Sequence, residues 1–154
     1  EMCPILWYPG PAVDTMKITL GDRANYFWPV KSLTEAGALV FYGSDWPAVV
    51  PDTNPWPGIE AMISREDPYG KNPGKYWPEQ AVDLKAALRI FTINGAIAGK
   101  QEKTTGSLEA GKRADFIILE SNIFEIPTAA LSDVQVLQTF VDGEAVFQRV
   151  PAGE

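Results

Sequence analysis

Gly37-Ala38-Leu39-Val40-Phe41-Tyr42-Gly43-Ser44-Asp45 is the stretch on which the fold turns. Ala38 to Tyr42 is an unbroken apolar run, too short for a helix and closed by glycine at both ends. Such a run predicts a strand buried on both faces, as in a parallel sheet. Upstream, the pattern predicts a helix over Tyr26 to Ala36, with Gly37 at the position where helices reverse. Helix, glycine, buried strand and polar turn together form the second half of a βα repeat. In sheets built that way, chemistry gathers at the carboxyl ends of strands, where loops converge on a rigid frame. Asp45 stands at such an end. The same position suits an aspartate that caps a turn by accepting backbone N–H bonds, so spacing alone leaves both roles open.

Toward the N-terminus, Cys3-Pro4-Ile5-Leu6-Trp7-Tyr8 reads as a buried strand that enters a loop at Pro9-Gly10-Pro11. Residues 1–80 otherwise read as long loops with short ordered inserts. Trp46 to Trp77 is loop-dominated and rich in proline, with a short helix expected from Gly58 to Ser64. A long loop inside a compact domain is functional or disordered, and its aromatic content argues against disorder. Trp46, Trp56 and Trp77 can pack the loop onto its scaffold; Trp46 is also the candidate pocket wall.

Asp83 opens the clearest helix, expected to run to Gly99: Leu84, Ala87, Leu88 and Phe91, with Ile90, Ile93 and Ile97, recur at spacings of three and four. Asp83 is its N-cap and Gly99 its stop. Thr92 and Asn94 are expected to make buried hydrogen bonds. Beyond the linker Gln101 to Thr105 the period changes. Gly106 to Lys112 is turn chemistry around one apolar anchor, and Phe116 to Leu119 reads as a buried strand. Val134 to Val141 and Glu144 to Gln148 flank Asp142-Gly143, a dipeptide suited to a two-residue type I′ hairpin because both residues need positive φ. Three strands with open edges are marginal alone, which predicts partner strands from elsewhere.

Composition narrows the chemistry. The 154 residues carry 13 Lys plus Arg, 20 Asp plus Glu and no histidine, a net charge of −7. Without imidazole, Ser-His and Cys-His nucleophiles and histidine-rich zinc sites are excluded unless another chain supplies the histidine. The single cysteine, Cys3, excludes an internal disulfide and leaves the compartment open, the cytoplasm being slightly favoured and a periplasmic or secreted setting also compatible. The opening Glu1-Met2-Cys3-Pro4 has no basic start or apolar stretch of a secretory signal. The longest apolar runs, Ala38 to Tyr42 and Phe116 to Leu119, fall far below the ~20 residues of a membrane span. With an acidic balance and no Lys/Arg stripe, neither nucleic acid nor anionic lipid is an expected partner.

From Gly43-Ser44-Asp45-Trp46-Pro47 onward, the sequence resembles the amidohydrolase superfamily, in its branch of metal-dependent hydrolases called amidohydrolase family 3. That branch includes N-substituted formamide deformylases and so-called exoenzyme regulators. Gly-Ser-Asp is followed by Gly58-Ile59 and Arg65, and then by Ala87-Leu88-Arg89-Ile90-Phe91-Thr92-Ile93-Asn94-Gly95-Ala96. The string Gly106-Ser107-Leu108-Glu109-Ala110-Gly111-Lys112-Arg113-Ala114-Asp115-Phe116 comes next, with Val141 to Phe147 closing. Gly-Ser-Asp alone is weak; the Gly106 to Phe116 string and the order of all five are specific over roughly Leu33 to Phe147.

The resemblance implies an α/β fold: the C-terminal part of a (β/α)8 TIM-type barrel, about strands seven and eight, followed by part of a small β-sandwich. Residues 1–100, including the long loop 46–78, would be the end of the barrel, and residues 101–154 the C-terminal strands of the sandwich. It further implies a His-x-His pair on strand one, a bridging carboxylated lysine or glutamate, and histidines on strands five and six around a divalent metal, zinc being expected. Asp45 matches the strand-eight aspartate, which ligates the metal and shuttles a proton from bound water to the leaving nitrogen of a small amide-type substrate. With no histidine this chain departs from the pattern. It reads as a fragment that is inactive alone, binds no metal alone, and pairs with the missing N-terminal barrel region or with itself. The alternative is a non-catalytic folding or interaction module that associates through open strand edges.

Overall fold

A computed structural model describes residues 1–2, 7–47, 50 and 52–150 of the chain. The run read first from sequence is one rung of a parallel pairing. Met2 bridges Tyr42 in parallel, with Met2 N–H donating to Phe41 O (2.9 Å) and Gly43 N–H to Met2 O (3.2 Å). Cys3 to Leu6 of the expected N-terminal strand lie outside the described residues; Trp7 and Tyr8 at its end are buried. Burial of Ala38 to Tyr42 on both faces is not found. Val40 is buried, but Leu39 is 45% exposed. An apolar run states that a strand wants covering, not which elements cover each face.

Apart from a two-residue shift in the start of one helix, the helices differ from expectation in three places. Residues 11–20, read as loop, form helix α1 (Pro11–Leu20). Pro11 sits in its first turn, where a missing N–H costs nothing, so the Pro-Gly-Pro punctuation is a helix start. The helix expected over Tyr26 to Ala36 is shorter: Gly21–Tyr26 is a 3-10 turn, and α2 spans Val30–Glu35. Pro29 forces the preceding Trp28 out of the helical region, and Trp28 takes φ 47°. Gly37 follows with φ 82°. Helix α3 (Trp56–Ser64) begins two residues before the expected start and buries Trp56, Ile59, Ala61 and Met62.

The third difference is a break at Thr92, which splits the predicted Asp83 to Gly99 helix into α4 (Leu84–Phe91) and α5 (Ile93–Ala98). Asp83 caps α4 as expected, accepting from Ala86 N–H at 2.8 Å. Thr92 is exposed rather than buried, and its Oγ1 donates back to Leu88 O at 2.6 Å. Asn94 makes the buried-type bond predicted for it: Nδ2 donates to Val40 O at 2.7 Å. Tyr42 N–H donates to Ile90 O, and the Tyr42 and Phe91 rings stack 3.9 Å apart. Strand and helix are thereby fixed to one another immediately before Gly43-Ser44-Asp45.

The C-terminal third is a three-stranded antiparallel sheet in the order β1 (Phe116–Leu119), β2 (Val136–Val141), β3 (Glu144–Gln148). Asp142 and Gly143 close the β2–β3 hairpin with φ 52° and 83°, the pair of positive values its sequence demanded. Asp115 Oδ1 accepts from Asp142 N–H at 2.8 Å and so fixes the hairpin, while its Oδ2 accepts from Thr105 Oγ1 at 3.5 Å and pairs with Arg113 in the segment before its own strand. β1 is not the buried strand expected: Phe116 stacks on Phe140, but Ile117 and Ile118 are 44% and 41% exposed. Between α3 and β2, the 3-10 turn Thr128–Asp133 packs on α3, where the buried Glu60 carboxylate accepts from Ser132 N–H at 2.8 Å.

Candidate functional site

Asp45 follows directly on the bridged Tyr42 and Gly43, at the carboxyl end of the segment that pairs in parallel with Met2. Its backbone is left-handed (φ 53°), a conformation aspartate tolerates better than most residues, and it is exposed to solvent. Ser44 Oγ accepts from Trp46 N–H at 3.2 Å, closing the turn that presents the carboxylate. Gly43 leaves room for the Glu1 side chain: a Cβ there would lie 1.7 Å from Glu1 Oε1. Trp46, the candidate pocket wall, is 53% exposed. Trp56 and Trp77 pack the loop instead. Trp56 is in the core, and Trp77 joins Phe27, Trp28 and Tyr76 in an aromatic cluster.

The loop after α3 carries a feature that periodicity does not reveal. Arg65 caps α3 in a left-handed conformation (φ 60°) and has no exposed surface. Its Nε donates to Tyr76 O at 3.1 Å, and Tyr76 N–H donates to Arg65 O at 3.1 Å. Its two terminal nitrogens meet no acceptor among the described residues. Burial lowers the guanidinium to about 10 against the raising charge of Glu79, so it is positive at neutral pH. Trp7 Nε1 is a second buried donor without a partner among the described residues. Read from sequence, Arg65 has only a place in a motif. The available signal is a charged residue at the end of the apolar Ala61-Met62-Ile63 run.

Around Arg65 the loop is internally fastened. The Asp67 carboxylate accepts from the N–H groups of Tyr69, Lys71 and Asn72 and from Asn72 Nδ2, at 2.8 to 3.1 Å. Tyr76 OH donates to Asp14 on α1, and Lys17 Nζ lies 3.9 Å from the Tyr76 ring centre. The Asp14 bond raises the Tyr76 hydroxyl to about 12. Desolvation by burial, helped by Tyr69 and Asp67, holds the Tyr8 hydroxyl well above its ordinary value.

A catalytic divalent metal needs several imidazole or carboxylate ligands. Among the described residues, no group of three or more His, Cys, Asp or Glu side chains could hold one, and the sequence has no histidine at all. These residues alone do not fit a metal centre.

The sequence profile of the amidohydrolase family matches residues 2–147. The N-substituted formamide deformylase of Arthrobacter pascens is 35% identical over 79% of this chain and 22% of its own length. The 5-methylthioadenosine/S-adenosylhomocysteine deaminase of Thermoanaerobacter pseudethanolicus is 33% identical over 63% of this chain and 21% of its length. Among solved structures, an amidohydrolase from Thermotoga maritima superimposes with a TM-score of 0.58 at 24% identity, over 78% of this chain and 26% of that one. That likeness shows a shared fold with amidohydrolase proteins. The chain spans about a fifth of the length of these curated relatives. It belongs to the amidohydrolase family.

Proposed function

We propose that this member of the amidohydrolase family is the C-terminal part of a metal-dependent hydrolase that cleaves non-peptide C–N bonds in small amide-type substrates. Residues 1–100 would supply about strands seven and eight of the barrel with their helices, and residues 101–154 the C-terminal strands of a β-sandwich. The observation that carries the reading is Asp45. It is an exposed carboxylate at the carboxyl end of a parallel-paired segment, on a turn fixed by Ser44 and by the docking of α4 and α5 on Val40 and Tyr42. A formamide deformylase and a 5-methylthioadenosine/S-adenosylhomocysteine deaminase among the relatives both break C–N bonds, which supports the reaction class.

Asp45 is assigned two roles, metal ligand and proton shuttle. An exposed carboxylate can take the proton of an attacking water and return it to the departing nitrogen. A divalent metal, zinc being expected, would supply the acidity of that water when bound. The histidines that such a site needs would come from outside these 154 residues, so the chain is assigned no activity of its own.

The test is reconstitution. The chain is co-expressed with the histidine-bearing N-terminal portion of the formamide deformylase relative; bound metal is measured by plasma mass spectrometry and hydrolysis with an N-substituted formamide. Metal and turnover should appear together in the reconstituted protein. Asp45→Asn should abolish turnover and leave the circular dichroism unchanged. Equal turnover in Asp45→Asn removes Asp45 from the mechanism. Stoichiometric zinc with hydrolysis by the 154 residues alone refutes the assignment of inactivity.

A second reading has its own observation. The sheet edges β1 and β3 carry exposed apolar side chains, Ile117 at 44%, Val146 at 60% and Phe147 at 45%. They suit a non-catalytic module that associates through strand edges. Light scattering separates the two readings: concentration-dependent dimers that persist when the N-terminal portion is added favour the module.

A further inference from the structure

Arg65 is a buried cation with no carboxylate in hydrogen-bonding contact among the described residues. It enters no ion pair among the described residues, and the acids on its loop are committed elsewhere. Asp67 spends its oxygens on four donors of its own loop, and Glu66 pairs with Lys75 at 3.3 Å. Glu60, buried nearby in sequence, accepts from Ser132. Glu79 acts on Arg65 through its charge but is itself exposed and makes no hydrogen bond to it. A guanidinium taken fully out of water, with two nitrogens unsatisfied, is among the least favourable arrangements an interior can hold. Such groups are rare in native structures, and an ion held against them is one way in which they are completed.

Geometry says what completes it. Nε is already used by the Tyr76 carbonyl, so the part of the side chain without an acceptor among the described residues is the end-on pair of terminal nitrogens. That fork matches the two oxygens of a carboxylate, which accepts both N–H groups in parallel. We propose that Arg65 anchors a buried anion site that takes a small carboxylate in a bidentate pair of hydrogen bonds from its two terminal nitrogens. The proposal stands on this geometry and not on the role of Asp45. Tyr76 closes over Arg65, and its outer fastenings to Asp14 and Lys17 lie at the protein surface. Entry follows the lifting of this segment, so association is slow compared with diffusion.

The test uses the 154-residue chain in chloride-free buffer, titrated with sodium formate and observed through the 15N signals of arginine side chains. One arginine, assigned to Arg65 by its loss in Arg65→Lys, should shift saturably with one-site behaviour. The thermal midpoint should rise with formate, as linkage requires of a ligand that binds only the folded state. Affinity should fall at least about tenfold in Arg65→Lys, which keeps charge but loses the fork, and vanish in Arg65→Met. Absence of a saturable Arg65 shift in the wild type overturns the site, as does undiminished affinity in Arg65→Met. Chloride or phosphate binding as tightly as formate overturns the carboxylate assignment. If Arg65→Met does not fold, the wild-type Arg65 signals decide the matter alone.

Discussion

Gly106 fixes how the C-terminal sheet meets α5, and replacing it by alanine isolates that junction. The residue has φ 87°, and an added Cβ would lie 2.6 Å from Ala96 Cβ and 3.1 Å from Ile93 Cα. Left-handed backbone with a Cβ costs roughly 1–2 kcal/mol. Forcing a methyl group against helix backbone adds about 1–3 kcal/mol. The lower entropy of the unfolded alanine chain returns about 0.4–1 kcal/mol. Gly106→Ala should therefore destabilise by about 1–4.6 kcal/mol, about 3 kcal/mol at the centre of the range. Gly111→Ala is the control, since Gly111 has φ 92° but nothing within 4 Å of its virtual Cβ. It should carry the backbone cost alone, about 1 kcal/mol. Urea denaturation followed by far-ultraviolet circular dichroism gives both. Ala96→Gly, itself unfavourable in a helix, should recover part of the loss in the Gly106→Ala background, a coupling of opposite sign to the single effects. The reasoning fails if Gly106→Ala and Gly111→Ala agree within about 0.5 kcal/mol, the usual spread for independent sites, or if Ala96→Gly is additive.

Asp83→Ala removes the N-cap bond to Ala86 and should cost about 1 kcal/mol, with Asp83→Asn close to wild type in the same urea titration. Tyr8 and Tyr76 hold their protons more tightly when folded than the ordinary value near 10. Their contribution is fully present below pH 10 and is lost as pH rises through 10 toward the folded values, about 12 for Tyr76. Thermal midpoints taken between pH 9 and 12 should fall with a slope that Tyr8→Phe flattens; an unchanged slope would remove Tyr8 from the effect. Arg113 pairs with Asp142 at 2.7 Å, but both side chains are about half exposed, so Arg113→Met should leave the urea midpoint nearly unchanged. A larger loss in urea would show that the clamp on the hairpin is not a simple surface pair.

What was legible in the sequence was local chemistry with one solution. Asp142-Gly143 could be read because a two-residue hairpin requires positive φ at both positions, and Asp83 because a carboxylate before an apolar helical period has free N–H groups to accept. What was hidden depended on packing. The break at Thr92 lies inside a continuous apolar period that does not mark it, although Thr92, Asn94 and Gly95 are weak helix formers, and beyond it Asn94 reaches out of the helix to Val40 O. Helix α1 was masked by proline and glycine that read equally as a loop or as a start. The two-faced burial expected of Ala38 to Tyr42 and of Phe116 to Leu119 failed for a common reason. Hydrophobic sequence records a demand for cover, whereas exposure records the elements that meet it. The position of Asp45 after a strand was readable, but its left-handed turn was not.

Asp45 and Arg65 close the two ends of the segment that carries α3, and both do so in left-handed backbone, φ 53° and φ 60°. The physical meaning differs between them. Aspartate is among the residues that enter this region readily, and an exposed carboxylate is already solvated, so the Asp45 turn asks nothing more of the fold. Arginine has no such local compensation. At Arg65 the backbone term, about 1–2 kcal/mol, coincides with a desolvated charge whose two terminal nitrogens lack acceptors. The two bonds with Tyr76 hold the residue in place without answering either term, because they use Nε and the backbone and leave the fork open. A fold selected for stability alone would be better served at that position by glycine or asparagine, which adopt the same backbone without a buried charge. The coincidence of strain and unanswered charge in one side chain is therefore an argument for an external carboxylate. It also gives the loop over Arg65, and not the exposed turn at Asp45, the character of a recognition element.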